Sequence, residues 1–384
     1  MNSHSRRLQL PMACLLGLFL VCTAATAQQA PDLTWQQTNG PEGGNMTAIV
    51  MTPEGHLFAL SFSGGLYRWP HGGAGWTKVF GGGGTGYALA VGTWGGKTTL
   101  LLSTGGGMYY STEDGDPGTW KPMYYDACGK TVRVPPMFAI LTSPHYLYFA
   151  AGNQVLRGTF RATPSEPGCG LYFEWDHFPI DAGQFDATSI AADPRTPTTL
   201  YVGTVSHGIY MSTTEGQIWQ RIWDGVPSAY VSTIAISPAT GDVYAGTRNQ
   251  EPEIANVYRG TYSDDLWTWV PVSTRLFAEV RQLSFVAGRL LAGTYQGSGI
   301  WYLNDEGDTW LPVGIEPDVL SRPCLLRTVS SFAVDSEGGL YAAAEEQDGV
   351  FYYPPPLRRR DGRLGGSAAA PGCGRSRCRD RCGR

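Results

Sequence analysis

Short apolar runs recur along this chain, separated by turns rich in Gly, Asp, Asn, Ser and Pro. The clearest stretch is residues 189–222, SIAADPRTPTTLYVGTVSHGIYMSTTEGQIWQRI. SIAAD is small and apolar, fit for a crowded interior. TLYVGT alternates around a β-branched core, GIYMST follows a Gly-containing turn, and IWQRI closes the unit after TEGQ. Period-2 alternation over runs this short predicts strands, and the turns between them predict antiparallel hairpins. The unit therefore reads as four short strands. Degenerate copies follow one another: HLFAL, GLYRW and GWTKV; YALAV, TTLLLST, GMYYST and TWKPM; MFAILTS, YLYFAAG, QVLRGTF and YFEWDHF. Beyond the clearest unit come VSTIAIS, DVYAGT, NVYRGTY and WTWVPV, then RQLSFVA, RLLAGTY, GIWYL and DTWLPV.

One Trp near the end of each unit marks the repeat: Trp35, Trp76, Trp120, Trp175, Trp219, Trp269 and Trp310, at spacings of 41, 44, 55, 44, 50 and 41. A period of about 40–50 residues with four strands per unit is the signature of a β-propeller. One four-stranded sheet cannot bury both of its faces, so neighbours stack radially. The last unit supplies only SSFAVD, GLYAAAE and GVFYY before Pro354-Pro355-Pro356 stops the sheet. Its missing outer strand is LTWQQT around Trp35, so the N-terminal strand is expected to close the ring in the last blade and remove two free edges. The prediction is an all-β, seven-bladed propeller of four-stranded antiparallel blades. A six-bladed ring would require one unit to be illusory, and the third, with its RATPSEPGCG insertion, is the least regular.

Composition adds boundaries. The 51 Gly and 26 Pro of 384 residues exceed the usual shares of about 7% and 5%, which suits many tight turns. Arg6 and Arg7, the apolar run 12–22 and Ala25-Thr26-Ala27 form a cleavable export signal over residues 1–27. The propeller is assigned to 28–356, and the tail 357–384, rich in Arg, Gly and Cys with little to bury, is expected to be disordered. The signal holds two of the 28 basic residues. The tail holds nine more, with two of the 33 acidic ones, so the body has 17 basic and 31 acidic residues, a net charge of −14. An acidic body argues against nucleic acid and anionic membranes as partners. With no second apolar run of spanning length, the product is expected to be a secreted, extracellular or periplasmic, soluble monomer. Cys128, Cys169 and Cys324 in the body leave any disulfide pairing open.

The turns before the marker Trp carry a second pattern. Asp305, Gly307 and Trp310 fit D-x-G-x-T-W. Asp114, Gly115 and Trp120 fit it with a small insertion, and Ser212, Gly216 and Trp219 keep the Ser, Gly and Trp. In these turns the chain resembles the bacterial-neuraminidase-repeat, or Asp-box, propellers, over about residues 32–353. That group includes sialidases, sortilin-type receptors, two-propeller xyloglucanases and the seven-bladed photosystem II assembly-factor-like proteins, the last being closest in layout. The resemblance implies the fold and leaves function open, because one blade type serves enzymes and binders alike. The box residues themselves read as structural: Asp or Ser accepts backbone N–H groups in the turn, and Trp packs between blades.

Enzyme motifs are sparse. The Phe/Tyr-Arg-Ile-Pro motif of sialidases does not occur, and a single propeller lacks the inter-propeller cleft across which the related xyloglucanases place their carboxylates. Asp126, Asp186, Asp224, Glu279 and Asp318 fall in loops between blades, where a paired-carboxylate hydrolase would need them. His71, His145, His177 and His207 have no metal-ligand spacing, and the Gly81–Gly84 run precedes no helix, so no metal or cofactor is expected. Binding has more material. The loops joining successive blades share a face with the loops between the two middle strands. On that face fall Tyr87, Tyr124, Tyr125, Arg133, His207, Trp223, Tyr230, Arg248, Arg281 and Tyr295. Aromatic and Arg groups around an axial mouth suit sugar stacking or protein hot spots. The reading is a non-enzymatic scaffold binding a protein or glycan, with a glycoside hydrolase or lyase of the same superfold as the alternative.

Overall fold

The computed structural model describes residues 35–41, 44–125, 132–161, 172–180, 187–248, 256–272, 276, 279–295, 299–304, 306–307, 309–314, 328–345 and 349–355. The proposed export signal, the tail, Cys128, Cys169, Cys324 and all of the RATPSEPGCG insertion but its first residue, Arg161, lie outside these residues.

Seven four-stranded antiparallel sheets make up the fold, and no helix occurs among the described residues. Blade 1 comprises β2 (Met46–Met51), β3 (Leu57–Ser61), β4 (Leu66–Trp69) and β5 (Thr77–Phe80). Blade 2 has β6 (Gly86–Trp94), β7 (Lys97–Thr104), β8 (Gly107–Ser111) and β9 (Lys121–Pro122). Blade 3 has β10 (Ala139–Thr142), β11 (Tyr146–Ala151), β12 (Gln154–Arg161) and β13 (Tyr172–Pro179). Blade 4, the clearest unit of the sequence, has β14 (Ala187–Ala192), β15 (Leu200–Thr204), β16 (Ile209–Ser212) and β17 (Gln220–Arg221). Blade 5 has β18 (Val231–Ile236), β19 (Val243–Thr247), β20 (Val257–Ser263) and β21 (Leu266–Pro271). Blade 6 has β22 (Glu279–Val286), β23 (Arg289–Tyr295), β24 (Ile300–Leu303) and β25 (Trp310–Pro312). Blade 7 joins β26 (Val329–Val334), β27 (Leu340–Ala344) and β28 (Gly349–Tyr353) to β1 (Gln36–Gln37) in the order β1-β28-β27-β26. The N-terminal strand therefore closes the ring, as the incomplete last unit predicts.

Burial explains why each strand has its composition. The second strands are apolar on both faces because a blade lies on each side: β3 (LFALS) and β15 (LYVGT) are buried at every position. The outer strands are half solvated, so β5 and β13 mix charge with apolar residues. There are seven seams, and each holds one hydrophobic cluster drawn from two adjacent blades. The marker tryptophans stand in or just before the outer strands, with Trp35, Trp219 and Trp310 nearly fully buried.

The first strands of adjacent blades pack against one another around the axis. Six of them carry a one-residue β-bulge near their start, at Thr47, Tyr87, Thr188, Ser232, Arg281 and Ser330. A bulge turns an extra side chain out of the ladder. Three of the bulged hydroxyls use that freedom to donate across a seam: Thr188 to the Val231 carbonyl, Ser232 to that of Val280, and Ser330 to that of Met46. One residue further on, the Leu283 amide donates to Thr233 Oγ1 at 3.1 Å and the Ile49 amide to Ser331 Oγ at 3.3 Å. Gln282 exchanges both of its amide hydrogen bonds with the Phe332 backbone, at 2.7 and 3.1 Å. The mouth of the ring is thus stitched by side chains, and the groups above it stand on a fixed frame.

Candidate functional site

Register places three rows of residues on the face where the first strands begin. One row stands at the start of the first strand: Asn45, Thr85, Phe138, Tyr230, Glu279 and Thr328 come one residue before Met46, Gly86, Ala139, Val231, Val280 and Val329. A second row ends the second strand and includes Phe62, Val205, Arg248, Tyr295 and Glu345. The bulged residues form the third.

On blades 5 and 6 these rows converge on one carboxylate. Glu279 is the first residue of β22, opposite Tyr295, and its side chain is 8% exposed. Arg248 Nε lies 3.1 Å from Glu279 Oε2, and Arg281 Nη1 lies 3.2 Å from Oε1. Arg248 sits over the Tyr230 ring, 5.6 Å from its centroid, and Arg281 over Tyr295 at 4.6 Å. Two cation–π pairs therefore flank one buried anion. The Glu279 charge and a hydrogen bond donated to the Tyr230 phenol oxygen hold the Arg248 guanidinium still more firmly protonated than usual. Tyr230, Arg248, Arg281 and Tyr295, separated widely in sequence, thus form one cluster. Its centre, Glu279, is a strand residue held by arginines. That corrects its placement in a loop between blades.

The other binding candidates divide. Tyr87 is the bulged residue of β6 and packs against Phe138, the rings tilted at 60° with centroids 4.8 Å apart. Tyr124 bridges to Arg133, whose guanidinium lies 4.5 Å from the Tyr109 ring centroid. His207 sits in the β15–β16 loop with Nδ1 2.9 Å from Ser206 Oγ, and its carbonyl accepts from Arg221 Nε.

Two candidates are corrected. Trp223 is 1% exposed, donates to the Ser228 carbonyl at 2.7 Å and meets Trp269 edge-on at 4.5 Å. It fills the seam between blades 4 and 5 and offers nothing to a ligand. Tyr125 packs against Trp175 and His177 of the outer strand β13, away from the mouth, and burial pushes its phenol up.

Three exposed apolar side chains went unmarked in the sequence. Phe62, Phe138 and Val205 are 53%, 56% and 36% exposed, and each stands in the mouth rows. The signal that would have found them is register: each is one residue beyond a strand end, where a core pattern leads one to expect the apolar run to stop.

Asp224 is 84% exposed and bound to Arg221, and Glu279 faces two arginines. Asp126, Asp186 and Asp318 lie outside the described residues. Among the described residues, no group of three or more His, Cys, Asp or Glu is placed to hold a metal ion.

On the opposite face lie the turns before the marker tryptophans. Ser212 Oγ accepts the amides of Thr214 and Gly216 at 3.2 and 3.0 Å, and Ser111 Oγ accepts that of Glu113 at 3.3 Å. Trp120 Nε1 donates to the Gly115 carbonyl at 3.1 Å. Serine caps these turns through its side-chain oxygen. Asp114 does not: it reaches the preceding blade, 2.7 Å from His56 Nδ1 and 3.0 Å from Arg68 Nη1. Glu215 occupies the same turn position in blade 4, also at positive φ, and pairs with Arg157 of blade 3 at 3.7 Å. Gly307 and Trp310 are placed, while Asp305 lies outside the described residues.

No protein-family model matches the chain, and no curated protein matches it in sequence. Solved structures do. The extracellular domain of a hybrid two component system from B. thetaiotaomicron aligns at TM-score 0.61 and 14% identity, covering 84% of this chain and 40% of its own. An ancestral GH74 enzyme aligns at TM-score 0.59 and 18% identity, covering 83% and 46%. The Swd1 β-propeller domain of Myceliophteria thermophila aligns at 0.56 and 12%, covering 83% and 99%. The chain thus spans less than half the length of the first two. At these identities the likeness is one of fold, and the fold is the seven-bladed β-propeller.

Proposed function

We propose that this protein is a non-enzymatic propeller that binds a protein or glycan on the face where the first strands begin. The observation that carries the reading is the Tyr230–Arg248–Glu279–Arg281–Tyr295 cluster. Its arginines are 44% and 31% exposed and oriented by a buried carboxylate, and its tyrosines sit beneath them. Oriented guanidinium and phenol donors beside aromatic faces suit recognition of polar ligands, whereas hydrolysis needs two carboxylates set about 5–9.5 Å apart. The Ser-capped turns support kinship with Asp-box propellers. The export signal of residues 1–27 supports a place outside the cytoplasm.

Glycoside hydrolysis is the second reading, and the GH74-like fold is what favours it. A glycan array and an affinity capture, each run with wild type and with Arg281→Gln and Tyr295→Ala, test binding. The expected result is a ligand retained by wild type and lost, by about tenfold or more in affinity, in the variants. Turnover of aryl glycosides, sialosides or β-glucans that disappears on substituting Glu279 or Asp224 would overturn the scaffold reading.

A further inference from the structure

Among the described residues, each blade ends in an outer strand with one unpaired edge. Such an edge is a template for another strand unless it is short, charged or stopped by Pro. Six of the seven carry one of these devices. β1 and β17 are two residues long, and β9 is Lys121-Pro122. β5 carries Lys78, β13 carries Glu174, Asp176 and His177, and β25 is three residues ending in Pro312. β21 differs. Leu266, Trp267, Thr268, Trp269 and Val270 present no charge before Pro271, and Leu266 and Val270 are 65% and 47% exposed.

The hairpin fixes which backbone groups face outward. β20 and β21 are joined by Asp264 and Asp265 alone, at φ 51° and 61°, the two-residue type I′ loop. Ser263 and Leu266 are the hydrogen-bonded pair beside that turn. Hydrogen-bonded positions alternate along an antiparallel ladder. Leu266, Thr268 and Val270 therefore direct their N–H and C=O groups at β20, and Trp267 and Trp269 direct theirs away from it.

We propose that β21 is a homodimer interface, pairing antiparallel with β21 of a second copy about a two-fold axis at Thr268. In that register Trp267 faces Trp269 of the second copy and exchanges both N–H···O=C bonds with it, and Trp269 does the same with Trp267. Thr268 meets Thr268, and Leu266 meets Val270, at the non-hydrogen-bonded positions where side chains approach most closely. Trp267 and Trp269 already lie nearly parallel, 18° apart at 5.8 Å, so the second copy extends an aromatic layer. Pro271 has no N–H and ends the ladder, which opposes a slipped register. The strand is self-complementary, as an isologous contact requires, and that favours a second copy over an unrelated strand. It is also an uncharged stretch on a body of net charge −14, where two copies approach at least electrostatic cost. The dimer stands in place of the monomer expected from the sequence.

Sedimentation equilibrium of the full chain tests this. Wild type is expected to be dimeric at micromolar concentration, and more tightly so as salt rises. Thr268→Lys and Thr268→Glu each place like charges opposite one another and are expected to raise the dissociation constant at least about tenfold. Mixing the two variants restores a one-to-one dimer. An oxidised Thr268→Cys variant gives a dimer linked through position 268, whereas Leu266→Cys alone does not. Unchanged melting temperatures show that the variants fold. A wild type that is monomeric at ~100 µM, well above the micromolar range of weak complexes, overturns the proposal. So does a dimer that Thr268→Lys leaves intact.

Discussion

Two residues show how position decides a side chain's role. Trp223 has the composition of a ligand anchor, and the seam takes it instead. Gly208 makes room for it: at φ 75°, an added Cβ would lie 2.0 Å from the indole. Gly208→Ala combines left-handed strain with overpacking, and a loss of about 3 kcal/mol is expected in chemical denaturation. An unchanged midpoint would mean that the seam relaxes freely. Glu279 shows the reverse case, a buried charge that depends on two partly exposed partners. Arg248→Ala leaves Arg281 in place and is expected to cost about 1 kcal/mol. Removing both arginines strands the carboxylate and is expected to cost about 3 kcal/mol, more than twice the single loss. A double-mutant cycle with an additive result would show that the two arginines act separately.

At the scale of the element, the shortest strand carries much of the closure. β1 pairs only Gln36 and Gln37 with β28, and beyond it Thr38 and Gly40 exchange backbone hydrogen bonds with Val350, at 3.0 and 3.1 Å. Trp35 is 3% exposed, donates to the Val313 carbonyl at 2.8 Å and lies 5.3 Å from the Tyr353 ring. That hydrogen bond reaches blade 6, so the N-terminal strand ties the last two blades together. Trp35→Ala is expected to cost about 3–5 kcal/mol, measured as the shift in urea midpoint at constant slope. A smaller slope would show instead that blade 7 opens independently. The bulged hydroxyls tell a related story. Thr188, Ser232 and Ser330 look like ordinary strand polar residues, yet each bridges to a carbonyl more than 40 residues away.

At the scale of the whole molecule, radial stacking buries tyrosines along several seams. Burial pushes the phenols of Tyr201 and Tyr341 up to about 12, and raises that of Tyr148 further. The unfolded chain ionises these groups near pH 10. Their stabilising contribution is therefore whole below pH 10 and is lost as pH rises toward 12. Melting temperature is expected to fall across that window, with tyrosinate absorbance rising together with unfolding. Tyr201→Phe should flatten the fall, and tyrosinate signal preceding loss of structure would contradict the burial account.

Much of the architecture was legible in the chain because it rests on local periodicity. Alternation placed the strands, the Trp period placed the blades, and three strands followed by prolines at one end implied a borrowed strand from the other. These signals survive without knowledge of neighbours, since a four-stranded blade writes its hairpins and its buried second strand into consecutive residues. Only the tertiary structure decided which aromatic and charged residues share a site. Tyr230, Arg248, Glu279 and Tyr295 come from different strands and meet because ring closure and register bring strand ends to one mouth. The same radial packing hid Trp223, exposed Phe62, Phe138 and Val205, and left β21 an uncharged outer strand. Each of these outcomes depends on what stands across a seam or beyond a rim, and hydrophobic pattern along one chain carries no record of either.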